Sequence, residues 1–255
     1  MPTNYDIRDE IREYWSLRAP TFDASPGHGI REGDEKQAWL NMLERQIGAP
    51  QGRTVLDLAC GTGEISHLLH DYGLKVTGLD WSDAMLAIAR QKAIDRNSGI
   101  RFITGDAENT REPDASYDLI VNRHLVWTLV DPQTAFRHWF ALLKPGGSLL
   151  VIDGGFGGKN LLQRLLRWLS RPTGPQADPA LMTLHENIRK RVYFNNGARA
   201  EQIVDMLKIA GFSDISVQTN LSEIKKAQAG HMGFIKGLER VVSYRYIIQA
   251  QKKPT

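Results

Sequence analysis

Cysteine is nearly absent. Cys60 is the only one in 255 residues, so no disulfide can close within the chain and no cysteine-rich zinc site can be built. A reducing, cytoplasmic compartment is the expectation. No apolar run approaches the roughly 18 residues that would span a bilayer, so no stable membrane insertion is expected. Met1–Glu10 is polar and mixed in charge, without the apolar core of a secretion signal. Internal repeats and low-complexity tracts are also missing. The histidines at 67, 70, 138, 185 and 231 are scattered. His67 and His70 share an i, i+3 spacing, yet no third ligand is evident, and no metal is expected.

What remains is an ordinary globular composition, 42% hydrophobic and 24% charged, in a chain long enough to bury a sizeable core. The net charge of +3 conceals an asymmetry. Residues 156–200 hold eight basic residues (Lys159, Arg164, Arg167, Arg171, Arg189, Lys190, Arg191, Arg199) against Asp178 and Glu186, a local +6. The remainder therefore carries −3. Such a segment is either a set of solvated helix faces or a site for a negatively charged partner.

Aliphatic runs alternate with helical patterns, the signature of a parallel sheet with crossover helices. The runs predict strands at Thr54–Leu58, Lys75–Leu79, Arg101–Thr104, Tyr117–Asn122 and Ser148–Ile152, with Asp214–Thr219 and Val242–Ala250 completing seven. Helices are predicted near Glu64–Asp71, Asp83–Arg96 and Thr134–Leu143, with Ser82 as N-cap of the second. Lys144-Pro145-Gly146-Gly147 reads as a helix stop and turn. Two regions stand outside this alternation. Residues 1–48 carry helical spacing in Ile7, Ile11, Tyr14 and again in Trp39, Leu40, Leu43. Residues 154–200 follow the fifth strand and contain the amphipathic Leu161–Leu169. Ligands of open parallel sheets bind beyond the strands' carboxyl ends, where this insertion emerges as a prospective lid.

The strongest local signal is Val55–Ser66, an apolar strand running through Gly61 and Gly63 into a helix. Glycine lets the backbone approach a ligand closely. Asp80, ending the second strand, has the carboxylate that a ribose needs. Ser66 occupies the place of the third glycine of a dinucleotide fingerprint, and Asp57 places a carboxylate just before the loop. A pyrophosphate would be repelled there, whereas an ammonium group would be attracted. The loop therefore favours S-adenosylmethionine over a nicotinamide dinucleotide.

These residues resemble those of class I S-adenosylmethionine-dependent methyltransferases, in the small-molecule branch that includes the ubiquinone/menaquinone-type enzymes. The resemblance runs through Asp57–Gly63, Asp80-Trp81, Gly105-Asp106-Ala107-Glu108, Tyr117–Val121 and Leu142–Leu149. Ala59 replaces the usual first glycine, a change that adds only a methyl group. The resemblance implies an α/β fold with a Rossmann-like seven-stranded, mostly parallel sheet and helices on both faces. It further implies one domain, with an N-terminal helical cap (1–48), a cofactor-binding core (49–153), a lid (154–200) and a C-terminal helix and strands (201–255). Residues expected at the cofactor are Asp57, Ala59, Cys60, Gly61 and Gly63 in the loop, then Asp80, Trp81, Met85, Asp106, Ala107, Glu108 and Asn122. Tyr14, Arg18 and Phe22 join them by likeness to the family's aromatic entry helix, with ordinary amphipathic packing as the alternative. The product would be S-adenosylhomocysteine.

Methyl transfer needs orientation and exclusion of water, and needs a base only if the acceptor loses a proton. Asn122-Arg123-His124-Leu125-Val126-Trp127 ends the fourth strand, which faces the methyl group in this family. His124 is the candidate base or a packing residue. Arg123 is a candidate for an acceptor carboxylate or bonds carbonyl groups or Asp131. Trp127 is a core residue or a candidate for the acceptor wall, and Tyr193 is a candidate for lining the acceptor pocket. An Asn/Asp-Pro-Pro-aromatic sequence for a flipped base is missing here, so nucleic acid is not an expected partner. The expected acceptor is a small, anionic molecule, and the expected state is monomer or homodimer. A non-catalytic S-adenosylmethionine-binding protein acting through a partner, a carrier-bound or macromolecular acceptor, and a nicotinamide oxidoreductase remain the alternatives.

Overall fold

In the computed structural model, residues 6–154, 166, 169 and 178–254 are described. Seven strands form one sheet: β1 (Thr54–Leu58), β2 (Lys75–Asp80), β3 (Arg101–Thr104), β4 (Tyr117–Arg123), β5 (Leu143–Gly154), β6 (Ser213–Gln218) and β7 (Arg245–Gln251). Their order is β3-β2-β1-β4-β5-β7-β6, parallel except for β7, which runs antiparallel to both its neighbours. The Rossmann-like fold implied by the sequence is the one found.

Strand alternation sorts side chains between two cores. Leu56, Leu58, Ile120 and Val151 face one side, against Phe136 and Trp139 of α5 (Pro132–Leu142). Val55, Val121 and Ile152 face the other, against Trp39, Met42 and Leu43 of α2 (Asp34–Ile47) and Leu68 and Leu69 of α3 (Glu64–Asp71). Both layers are fully apolar at these positions, so the sheet is buried on both faces, as crossover helices require. Helix α4 (Asp83–Asp95) begins at Ser82, whose hydroxyl caps the Met85 amide as expected. Pairing of β4 with β5 jumps from Tyr117↔Leu143 to Leu119↔Ser148, so Lys144–Gly147 loops out opposite Asp118. Lys144 Nζ closes that bulge on the Asp118 carboxylate at 2.9 Å.

Helix α1 (Ile7–Arg18) crosses the sheet's carboxyl end. It packs on α6 (Pro179–Arg191) through Ile11, Ile188 and Val192, and Arg191 Nη1 bonds Glu10 at 2.7 Å. Helix α6 thus braces α1. The predicted helix Leu161–Leu169, with Arg164 and Arg167, lies outside the described residues apart from Leu166 and Leu169. One C-terminal expectation is corrected. Val242 ends a helix, α9 (Phe234–Val242), rather than starting the last strand, and α7 (Ala200–Ala210) and α8 (Ser222–Ala229) precede it. The apolar residues Phe234, Ile235, Leu238 and Val241 follow helical spacing, which outweighs the β-branched pair at 241–242.

Candidate functional site

Register places Leu58 beside Leu79 and Asn122, and Asp80 beside Thr104, so these strand ends form one row. Above that row lies a cavity lined from β2, β4 and the turns that follow β1, β2, β3 and β4. Its floor is the β1–α3 turn. Cys60 N donates to Leu79 O and Gly63 N to Cys60 O, both at 3.0 Å, which folds the turn back on β2. Gly61, at φ 55°, opens to the cavity, where a Cβ would face Phe22 and the Met85 sulfur. Ala59 holds φ 54°, a left-handed conformation that an L side chain resists. Its replacement of glycine is mild in volume but not in backbone conformation.

Asp80 anchors the turn from the side. Its Oδ2 accepts from Gly61 N at 2.9 Å and its Oδ1 from Ser82 N at 2.8 Å. Burial pushes this carboxyl up to about 6, against the lowering effect of the Ser82, Gly61 and Trp81 amides. Each carboxylate oxygen has two lone pairs, so Asp80 retains acceptor capacity toward vicinal hydroxyls. Asp106 is similarly available. Its Oδ1 accepts from Glu108 N at 2.8 Å, and the Arg8 guanidinium stands 4.0 Å from its Oδ2. Glu108 lines the cavity, but its carboxylate is engaged by Arg8 at 2.9 Å and by the Val130 amide at 2.6 Å. Leu79, Ala107 and Leu129 supply apolar walls, with Trp81, Trp15 and Phe22 around the rim.

Several expected residues shape this cavity without lining it. Asp57 is buried beneath the loop, and its Oδ2 accepts from Ser66 Oγ at 2.6 Å. Burial raises it to about 7. Cys60 is buried, and Gly63 fits under Ala89 and Phe102, each 3.2 Å from where its Cβ would stand. Asn122 is fully buried with neither side-chain atom partnered. Strand parity turns Asn122 and Arg123 to opposite faces, and Arg123, which does line the cavity, lies on the side of the second core. There the Arg123 guanidinium lies over the Trp39 ring and donates to the His28 carbonyl.

A second cavity adjoins the first, and Trp15 and His124 line both. Tyr14 and Arg18, expected at the cofactor, face this second space, since an i, i+4 pair shares one helix face. Trp127 lines it as well. Tyr193 does not, being 59% exposed and stacked edgewise on Phe194. His28, Asp153, His185, Tyr244 and Arg245 also line it, and none of them was among the expected site residues. Arg245 carries no sequence signal, because it opens an ordinary strand pattern.

The imidazoles here are held neutral. Burial, with His124 and Arg123 next, pushes His28 down to about 2. Burial and then Arg245, Arg123 and Arg240 hold His124 well below its ordinary range. His124 adopts φ 64°, and its Nε2 lies 3.0 Å from Arg245 Nη1. Left-handed non-glycine residues concentrate where backbone geometry serves a site. Asp153, pushed up to about 6 by burial, accepts from Gly154 N at 2.7 Å and Val126 N at 3.1 Å.

A family profile described as a methyltransferase domain matches residues 56–151. A demethylmenaquinone methyltransferase of Renibacterium salmoninarum is 30% identical over 145 residues, 57% of this chain and 59% of that protein. Phosphoethanolamine N-methyltransferase 1 of Arabidopsis thaliana is 30% identical over 165 residues, 64% of this chain but 29% of that one. The chain thus spans less than two thirds of these relatives' lengths. Among solved structures, Haemonchus contortus phosphoethanolamine N-methyltransferase 2 bound to phosphomonomethylethanolamine and S-adenosylhomocysteine superposes with a TM-score of 0.68 at 20% identity. That superposition covers all of this chain and 62% of the other.

Proposed function

We propose that the chain is a class I S-adenosylmethionine-dependent methyltransferase that methylates a small, anionic acceptor held in the second cavity, a reading supported by the methyltransferase-domain match and the relatives above. The observation that carries this reading is the shared wall. Trp15 and His124 line both cavities, so a donor held in one would adjoin an acceptor held in the other.

The first cavity fits S-adenosylmethionine. Gly61 leaves room that a Cβ would fill, Asp80 can accept from both ribose hydroxyls, and Asp106 can accept from an adenine amino group. When bound, that cofactor supplies a methyl group whose C–S bond breaks with its electron pair returning to sulfur, leaving S-adenosylhomocysteine. The protein's own contribution is orientation. Asp80 and the Gly61 turn fix one end, Leu79, Ala107 and Leu129 exclude water from the other, and Trp15 with Phe22 closes the top. The anionic character of the acceptor is supported by Arg18 and Arg245 in the second cavity. Asp153, their acidic neighbour there, already accepts two backbone amides.

Calorimetric titration tests the donor half. S-adenosylhomocysteine should bind and NAD should not, and Gly61→Val should abolish binding by filling the turn at φ 55°. Binding of NAD alone would sink the reading. A mass gain of about 14 Da in an anionic metabolite, dependent on S-adenosylmethionine, would establish the acceptor half.

A further inference from the structure

We propose that Arg245 recognises an oxyanion, a carboxylate or a phosphate, on the methyl acceptor, an inference that rests on the methyltransferase reading above. Antiparallel β7 starts where the parallel strands end, and its first residue, Arg245, pairs with Gly154 at the last residue of β5. A guanidinium is thereby delivered into the second cavity from 121 residues beyond His124.

Arg245 makes no direct ion pair, although the charge of Asp153 acts on it from beyond bonding distance and partly offsets its burial. Among the described residues its sole hydrogen bond is from Nη1 to His124 Nε2, and no carboxylate lies within ion-pair distance. Asp153, the nearest acid in the sequence of the cavity wall, has both oxygens engaged by the Gly154 and Val126 amides. Arg240 and Arg123 stand close enough to repel it, and burial with these two cations lowers Arg245 to about 9. A guanidinium surrounded by protein and unpaired is unfavourable, and a planar oxyanion is its best-matched partner, accepting two parallel N–H bonds. The cavity has the space, and the unbonded nitrogens of Arg245 are the donors.

The same contact decides the state of His124. Arginine only donates, so Nε2 must be the acceptor and the neutral ring carries its proton on Nδ1. While Nη1 occupies that lone pair, His124 cannot take a proton there. An oxyanion that draws Nη1 away frees Nε2 at the wall shared by both cavities. A proton leaving the acceptor's nucleophilic atom can then pass to Nε2, giving imidazolium as the methyl group is received. Arg245 would couple recognition of the anion to availability of the base.

The test uses the full chain saturated with S-adenosylhomocysteine, titrated separately with acetate and inorganic phosphate at constant ionic strength. The imidazole nitrogen resonances of His124 are followed by NMR, and cofactor affinity is measured by calorimetry on each variant. In the wild type, saturable shifts at Nε2 are expected with at least one anion, and the two arms separate carboxylate from phosphate. Arg245→Met should weaken anion affinity by about tenfold or more while S-adenosylhomocysteine still binds, and Arg245→Lys should retain part of it. Cofactor binding serves as the check that each variant folds, and the lysine variant carries the comparison if the methionine variant does not. Anion affinity unchanged by substitution, or no saturable anion response in the cofactor-bound wild type, overturns the proposal alone. A wild type that binds no S-adenosylhomocysteine overturns the cofactor reading, and the proposal with it.

Discussion

Cofactor affinity should fall on acidification, and Asp80 sets where. Its carboxyl is raised to about 6, with burial as the first cause, and it must be ionised to accept from two ribose hydroxyls while holding Gly61 N and Ser82 N. If the complex requires the ionised form, the apparent Kd scales with one plus the ratio of protonated to ionised Asp80. That factor is about 1.1 at pH 7 and about 11 at pH 5. Asp57 titrates near 7, but it bonds Ser66 below the loop and should contribute little. Calorimetry with S-adenosylhomocysteine at pH 7.5, 6 and 5 reads the change, and Asp80→Asn should bind weakly with a flat profile. A Kd that is the same at pH 5 and 7.5, or an asparagine variant with the full slope, would refute the assignment.

Circular dichroism must accompany that series, because stability also titrates. The folded-state pKa of Asp80 exceeds its unfolded value of 3.8, so its contribution is fully present below about 4 and lost as pH rises through about 6. His28 has the opposite sign. Lowered to about 2 from 6.5, it contributes stability above 6.5 that is lost as pH falls toward 2. Between about 4 and 6 the two oppose each other, which helps keep the protein folded across the assay.

Ala59→Gly should raise stability by about 0.5–1 kcal/mol in denaturant unfolding, since relief of a left-handed alanine exceeds glycine's added chain entropy. Equal or lower stability would mean that Cβ packing outweighs the strain. Lys92→Met should speed S-adenosylhomocysteine dissociation severalfold in stopped-flow displacement. Lys92 Nζ bridges Asp23 at 2.7 Å and Glu64 at 2.5 Å, and Glu64 in turn accepts from Ile30 N at 2.6 Å, which ties the segment around Phe22 to the glycine turn. An unchanged off-rate would show that this tie does not hold the cofactor.

The first cavity was legible because its lining residues cluster in sequence. Strand, turn and helix around Gly61, and single carboxylates at the ends of β2 and β3, leave local signatures that need no knowledge of the rest of the fold. The helices Glu64–Asp71 and Asp83–Asp95 followed from the same local rules. The second cavity was legible only at His124 and Trp127, and the rest of it was not, for the opposite reason. His28, His124, His185 and Arg245 come from four separate parts of the chain, and only the antiparallel placement of β7 and the docking of α6 on α1 bring them together. Asp57 shows a subtler limit. Its position before the loop was evident, but strand parity, which turns it toward Ser66 and away from the cavity, depends on which face α3 covers.

The position of β7 also bears on how the protein is made. It follows every other strand in the chain yet lies inside the sheet, between β5 and β6. A ribosome therefore delivers β6 before the strand that must separate it from β5. Until Arg245–Gln251 emerges, β5 presents an unpaired edge of buried aliphatic residues, the kind of surface that invites wrong pairing. Strands β1, β2 and β4 are complete long before then. The glycine turn and the strand ends under the first cavity are therefore made before the Arg245 wall of the second cavity is translated.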